Sequence, residues 1–141
     1  MKRDWNMIRQ MLLDIEALPP DQKGGIGIRC PHELRSVEYG KFMYHYDWML
    51  DAKLITQDIN ATLSHETDRL TWQGAELLDM IRNENDWQMM TDHAENVGIA
   101  LTVAHIEMLH RLFVGDAARQ DVNLDAGMFR AFTSTRTPPS A

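Results

Sequence analysis

The sequence contains no long apolar run and very little cysteine. No stretch reaches seven consecutive apolar residues, so both the core of a signal peptide and the roughly 18-residue apolar span of a membrane helix are missing. The single cysteine, Cys30, excludes a disulfide within the chain and agrees with a reducing compartment. These absences predict a soluble cytoplasmic protein that does not enter a membrane.

Basic residues are also scarce. The chain has 14 lysines and arginines against 21 aspartates and glutamates, which gives a net charge of −7. The imbalance is strongest over residues 76–107, where Arg82 stands among seven carboxylates. Proteins that bind duplex DNA normally carry a basic stripe, because release of counterions from the phosphates supplies much of the affinity. The overall charge therefore gives no support to DNA binding.

What the chain does have is an apolar content typical of globular proteins, 44% of 141 residues, and clear helical periodicity. A chain of this length fits one domain with an appended element and can fold without a metal or a disulfide. Capping residues and apolar spacing predict helices over residues 4–18, 37–54, 73–83, 86–97 and 102–115, and strands over residues 26–30, 54–59 and 69–72.

The order of these elements is that of a winged helix-turn-helix. We therefore expect a mainly α (α+β) fold with a small β-hairpin wing and a C-terminal helical extension. The predicted organisation is a winged-helix-like domain over residues 1–83, a helical extension packed on it over residues 84–115, and an irregular tail over residues 116–141.

Two phrases of the sequence resemble segments of winged-helix regulators. Residues 44–55 (YHYDWMLDAKLI) are similar to a recognition helix and first wing strand, for which "HLxxLxxAGLI" is common, and residues 69–78 (RLTWQGAELL) resemble the "LTxxGxxLL" that follows the wing. Together with the opening MKRD, residues 1–115 resemble an uncharacterised domain family common in phages and prophages. The resemblance implies the fold, and the host cytoplasm if the protein is phage-encoded. Function has to be argued from a site.

The second phrase has a physical basis. Thr71 is expected to cap the helix after the wing, and Gly74 is expected to let that helix pack closely on the sheet. The chain departs from the family pattern in two places. Lys53 stands where glycine usually follows the recognition helix, and the second helix of the turn is hard to find between Pro31 and Val37.

The resemblance makes residues 38–53 the candidate recognition helix. The residues that could reach a partner from this helix are Lys41, Tyr44, His45 and Trp48. Carboxylates on the same helix would repel phosphates, and the wing adds no basic tip. The leading prediction is a regulator-like binding module whose partner is DNA or a protein. A scaffold helix packed on its neighbours is an equally open interpretation, and Trp48 with the last helix could instead serve a homodimer.

The acidic segment, residues 76–107, supports a different class of function. Most charge runs are solvated faces that aid solubility. The alternative is a small acidic phage-encoded inhibitor that mimics nucleic acid and blocks a basic host protein, such as a nucleic-acid-binding or defence protein. The candidate partner surface consists of Glu76, Asp79, Glu84, Asp86, Asp92 and Glu95.

No motif in the sequence indicates catalysis. Cys30 and His32 are two residues apart across a proline, and His105 and His110 are on different helical faces, so neither pair has the spacing of zinc ligands. The glycine-rich stretch 24–27 lacks the lysine and hydroxyl residue of a phosphate-binding loop. We therefore expect no enzyme activity, no catalytic residue, no metal, no cofactor and no small-molecule substrate.

Overall fold

The computed structural model describes residues 1–19, 28–60 and 65–115, and for residues 58–60 and 65–67 it describes the backbone alone. The predicted tail over residues 116–141 and the glycine-rich stretch lie outside the described residues. The helices are α1 (Trp5–Glu16), α2 (Val37–Asp51), α3 (Trp72–Ile81), α4 (Glu84–Val97) and α5 (Val103–Leu109), the last followed by a π-helical segment, His110–Gly115; the strands are β1 (Ile55–Asn60) and β2 (His65–Leu70).

Helix α1 begins where the sequence predicts. Asp4 is the N-cap, and its side chain accepts a hydrogen bond from the backbone N–H of Met7 at 3.1 Å. The apolar residues that recur at helical spacing are buried, namely Ile8, Met11, Leu12 and Ile15. Trp5, which precedes Ile8 at helical spacing, is half-buried, and the helix ends at Glu16, before the predicted end at Leu18.

Helix α2 begins at the N-cap Ser36 and ends three residues earlier than predicted. Its end is a Schellman motif, in which the N–H of Lys53 donates to the carbonyl of Leu50 and the N–H of Leu54 donates to the carbonyl of Met49, both at 2.9 Å. The motif requires a left-handed residue, and Lys53 adopts φ 56°. Lysine therefore occupies the conformation that favours glycine in this position.

The hairpin follows directly from this turn. Strands β1 and β2 are antiparallel, with Ile55 opposite Leu70 and Gln57 opposite Asp68. The prediction of a second strand over residues 69–72 was wrong in its bounds, because the polar residues 65–68, expected to be a connection, already pair with β1. The expected strand over residues 26–30 is also corrected where the structure describes it. Residues 28–30 are irregular, and the N–H of Ile28 donates to the side-chain carboxylate of Asp68 and not to a backbone carbonyl of a neighbouring strand.

Helix α3 packs closely on the start of the hairpin, as its sequence predicts. Thr71 is the N-cap and accepts a hydrogen bond from the N–H of Gly74 at 3.0 Å, while its own hydroxyl reaches the carbonyl of Leu54 at 3.0 Å. A Cβ atom on Gly74 would lie 1.9 Å from that same carbonyl oxygen. Only glycine fits here, so the expected close packing is confirmed.

The chain divides into two compact units, Met1–Trp87 and Gln88–Ala141, with the division inside α4. The second unit contains the remainder of α4, which ends before Gly98 at φ 73°, and α5, whose N-cap Thr102 was predicted. Its buried side chains are Met90, Ala94, Ile106 and Leu109. The predicted boundary after residue 83 and the packing of the extension stay predictions.

The fold is mainly helical with one small antiparallel hairpin, which confirms the α+β class within the described residues. Residues 28–36 are irregular except for a turn at residues 34–35, where Arg35 has φ 70°, and they contain no second helix before α2. No helix in the described part of the chain combines the length and the apolar character needed to cross a bilayer.

Candidate functional site

One side of α2 carries an apolar and aromatic stripe that is exposed at Val37 and Tyr44 and half-buried at Lys41 and Trp48. Val37, Lys41, Tyr44 and Trp48 recur every three or four residues and so share one side of the helix, which we call the α2 face. Val37 is 82% exposed and Tyr44 is 52% exposed. The rings of Tyr44 and Trp48 meet edge to face, with centroids 5.0 Å apart. Because isolated surface apolar residues are common but adjoining ones are not, this stripe is a candidate contact surface.

Lys41, the basic residue of the α2 face, is already paired within the molecule. Its ammonium lies 2.6 Å from a carboxylate oxygen of Asp4, and both side chains are about one third exposed, 36% and 33%. The hydrogen bond from Lys41 lowers the pKa of the Asp4 carboxyl below its ordinary value. A phosphate would have to compete with Asp4 for this lysine, so Lys41 is poorly placed to supply DNA affinity.

His45 is removed from the predicted contact set, because its side chain is buried. Its Nε2 accepts the backbone N–H of Asp4 at 2.8 Å, and its Nδ1 lies 2.7 Å from the carbonyl of Lys41, to which it donates. The ring therefore ties the start of α1 to α2 and has no nitrogen left for a base edge. The structure brings Lys41, Tyr44 and Trp48 together on the surface but not His45.

Carboxylates surround the α2 face. Asp47 and Asp51 are exposed on the side of α2 next to Tyr44 and Trp48, and Glu38 is exposed in its first turn. The chain therefore presents an aromatic centre with an acidic rim. Such a surface repels a phosphate backbone and attracts basic groups.

The acidic residues named from the sequence are divided between the two units. In the first unit, Glu84 pairs with Arg9 at 3.2 Å, and Asp79 pairs with Arg82 at 3.0 Å. Glu76 accepts a hydrogen bond from the indole of the exposed Trp72, and Asp86 lies in the first turn of α4.

The other two acidic candidates, Asp92 and Glu95, are exposed on α4 in the second unit, where Gln88 donates to Asp92.

Arg82 also donates hydrogen bonds to both carboxylate oxygens of Glu16. This contact lowers the pKa of the Glu16 carboxyl and raises the pKa of the Arg82 guanidinium. At least two of the six candidate carboxylates, Asp79 and Glu84, thus form ion pairs with arginines of the same chain.

A cavity on the other side of α2 was missed from the sequence. Its polar end is formed by Asp68, which is only 8% exposed, together with Tyr46 and Gln57. The Tyr46 hydroxyl donates to one Asp68 oxygen, and the Ile28 N–H donates to the other at 2.8 Å. A signal was present, since Asp68 lies two residues from Leu70 and so shares the inward face of the strand. The prediction that residues 60–68 form a polar connection hid that signal, because it placed Asp68 outside the strand.

The comparisons with known proteins place the chain in a family. A family model described as "Hypothetical protein (DUF2513)" matches residues 2–100. The chain belongs to this DUF2513 family. A relative from Haemophilus influenzae (strain ATCC 51907 / DSM 11121 / KW20 / Rd), described as "Uncharacterized protein", is 28% identical over 117 residues, which cover 81% of this chain and 96% of the relative. No solved structure matches the chain.

The DUF2513 match covers the parts of the molecule that carry both surface features. It includes α1 to α4 and the hairpin, and therefore both the α2 face and the cavity, whereas α5 lies beyond its end. Among the described residues there is no cluster of three or more histidine, cysteine or carboxylate side chains with the geometry to hold a metal ion.

Proposed function

We propose that this DUF2513 chain is a non-enzymatic binding module of the winged-helix type that binds a protein partner through the α2 face. The partner surface is apolar at its centre and carries lysines or arginines around it. The composition of the α2 face carries this proposal, because its exposed centre is aromatic and its rim is acidic.

The order of elements in the first unit supports the winged-helix type. A helix, α2, runs through a three-residue turn into an antiparallel hairpin, and the hairpin runs through Thr71 into α3. Lys53 takes the left-handed conformation in the place of the glycine of the "AGLI" phrase, and Gly74 makes the close contact expected of the "LTxxG" phrase. In winged-helix proteins the helix before the hairpin presents the contact surface.

The side chains on that helix favour a protein over DNA. Recognition of base edges needs arginine, lysine, asparagine or glutamine, and phosphate contacts need free cations. The α2 face offers Tyr44, Trp48 and Val37, and its lysine is paired with Asp4. Aromatic anchors within a polar rim are instead the composition that dominates protein–protein contacts.

Affinity capture with matched variants tests the proposal. Tagged wild-type protein is compared with Tyr44→Ser, which removes an aromatic ring from the α2 face, and with Trp72→Ser, which removes a more exposed ring from α3. Because Tyr44 is at least half exposed, its loss should leave folding intact. We expect the same basic protein to be captured by wild type and by Trp72→Ser, with at least tenfold less captured by Tyr44→Ser.

Three outcomes contradict the proposal. One is equal capture by both variants, and another is loss of capture with Trp72→Ser alone. The third is recovery of DNA that stays bound to the protein during washing at low salt, which would favour the DNA-binding regulator. Thermal unfolding of each variant shows whether a loss of capture arises from a loss of structure.

A further inference from the structure

A cavity of about 660 Å³ lies in the first unit between α2, the hairpin and residues 28–34. Its lining on α2 comes from residues at helical spacing on the side away from the α2 face, namely Tyr39, Phe42, Met43 and Tyr46. The size is within the range of roughly 300–1,000 Å³ that small-molecule sites occupy in proteins. The rings and the thioether make most of the wall apolar.

One end of this cavity is strongly polar. Asp68 is 8% exposed and lines the cavity. Both of its known hydrogen-bond donors are neutral groups, the hydroxyl of Tyr46 and the N–H of Ile28. Within the described residues, Asp68 forms no ion pair with a lysine or arginine. The amide of Gln57 donates to the Tyr46 oxygen at 2.5 Å and so holds the phenol in place.

Within the described residues, the Asp68 carboxylate therefore has no ion-pair partner, and most of the cavity wall beside it is apolar. Removing a carboxylate from water is costly unless an opposite charge and hydrogen bonds replace the solvent. Two neutral donors satisfy only part of the capacity of a carboxylate, which can accept about four hydrogen bonds. The nearby rings of Phe42, Tyr39 and Tyr46 would attract a cation further through their π faces.

We propose that this cavity binds a small organic cation, an amine whose ammonium group donates to Asp68 and whose aromatic or branched aliphatic body fills the space along Phe42 and Met43. Arg29 also lines the cavity, but its side chain is exposed, so a charge there interacts through water and is screened. His32 also lines the cavity, but Asp68 is the most buried of these ionisable groups, so we expect it to determine which charge is preferred. The site is on the opposite side of α2 from the α2 face and does not depend on the partner proposed above.

Cys30 provides a built-in reporter of occupancy. It is the single cysteine of the chain, it is half-buried, and it lines the same cavity. Alkylation of this thiol by iodoacetamide, followed by mass spectrometry of the intact protein, measures how accessible the cavity is. The probes are phenethylamine, its neutral analogue 2-phenylethanol and its anionic analogue 3-phenylpropionate, which share one ring and a similar length.

We expect phenethylamine to slow the alkylation of Cys30 at least fivefold at saturation. 2-Phenylethanol and 3-phenylpropionate should need at least tenfold higher concentrations for the same effect. Calorimetric titration of the wild-type protein should give the same order of affinities. Equal protection by the alcohol, or better protection by the carboxylate, would overturn the preference for a cation, and no protection by any amine would overturn the site.

Variants identify the group that holds the amine. Asp68→Asn keeps the shape of the side chain and removes its charge, so it should weaken phenethylamine binding at least tenfold while leaving 2-phenylethanol unchanged. Asp14→Asn removes an exposed charge from α1, outside the cavity lining, and should change neither. If Asp68→Asn does not fold, Tyr46→Phe leaves the charge in place and should retain the preference for the amine over the alcohol. Loss of that preference in Tyr46→Phe, or its persistence in a folded Asp68→Asn, would contradict the proposal.

Discussion

The junction between α2 and the hairpin depends on the backbone conformation of one residue, Lys53. Its φ of 56° is in the left-handed region, where a side chain costs energy that glycine avoids, and the two hydrogen bonds of the Schellman motif depend on it. The phrase that this segment resembles has glycine here, and this chain has lysine instead. In the structure the Schellman motif forms all the same, with Lys53 in the left-handed conformation.

Relief of that strain should be measurable. Replacing Lys53 with glycine should raise the free energy of unfolding by about 1 kcal/mol, since the backbone conformation is already the one that glycine prefers. Ala52→Gly is the matched control, because Ala52 has an ordinary helical φ of −76° and the same change there should lower the free energy by about 0.5–1 kcal/mol. Urea unfolding measures both. A loss of stability in Lys53→Gly would show that contacts of the lysine side chain outweigh the strain.

Asp4 combines two roles at the start of α1, as N-cap and as the partner of Lys41. Its pKa is lowered from the ordinary value of 3.8, first by the hydrogen bond from Lys41. A lowered pKa in the folded state means that the contribution to stability is present above the unfolded pKa and is lost as the pH falls through the folded pKa. The pair should therefore weaken only in acid, below about pH 4.

The variant Asp4→Asn separates these roles, because asparagine can still cap the helix but carries no charge. We expect it to lower the free energy of unfolding by less than about 1 kcal/mol at pH 7, since the pair is partly exposed. The difference from wild type should stay constant down to about pH 5 and shrink towards pH 3. Asp14→Asn, at an exposed position of the same helix, is the control. A difference that grows in acid would exclude the ion pair as its source.

Contacts between residues that are far apart in the chain could not be predicted from the sequence. Lys41 was predicted to be available because its neighbours on α2 are the only residues that periodicity relates to it. Its partner Asp4 is 37 residues away, and the buried His45 reaches the same segment from 41 residues away. Contacts at such separations depend on how α1 and α2 pack, and no local pattern encodes them.

At the scale of elements, the contact between α3 and the hairpin is set by one glycine. A Cβ atom on Gly74 would overlap the carbonyl of Leu54, which also accepts the N–H of Thr71 at 3.0 Å. Neither group is the flexible end of a side chain, so the helix would have to move away. Glycine in the first turn of α3 is therefore a packing requirement.

Two matched substitutions test this requirement. Gly74→Ala should lower the free energy of unfolding by about 1–3 kcal/mol, the usual cost of forcing extra volume into a packed site. Gly40→Ala, within α2, meets no atom within 4 Å and should raise it by about 0.5–1 kcal/mol through better helix propensity. Denaturant unfolding of the two variants gives the comparison. If Gly74→Ala were neutral, the close approach of α3 to Leu54 would be wrong.

The elements themselves were predicted unevenly. Helices α1 to α4 were found because caps such as Asp4 and Thr71 precede periodic apolar residues, and both signals are local. Strand β2 was misplaced because its residues 65–69 are polar, so that alternation of apolar and polar side chains is absent. Pairing with β1 stabilises this strand, and pairing is a contact between segments that a single-segment pattern does not contain.

For the whole molecule, the net charge supports the proposed protein partner over nucleic acid. The net charge of −7 opposes nucleic acid, and a basic protein partner would be drawn by it over about 8 Å at physiological ionic strength. The cavity beside Asp68 could not be predicted from these totals, because it is formed by residues of three separate segments. The α2 face could be predicted in part, because the helical spacing of its residues is a local pattern. Its exposure to solvent could not be predicted, because exposure depends on which elements pack against α2.

The association rate of charge-reversed variants with the captured partner is the most direct test of the α2 face. Asp47→Lys/Asp51→Lys alters its rim, and Asp92→Lys/Glu95→Lys makes the same change of net charge on exposed positions of the second unit. Because charges near a contact surface steer encounter, we expect the first variant to slow association at least fivefold at low salt and the second to slow it less than twofold. The opposite order would move the contact to the acidic segment, and faster association by both variants with DNA as the captured partner would contradict a protein-binding α2 face.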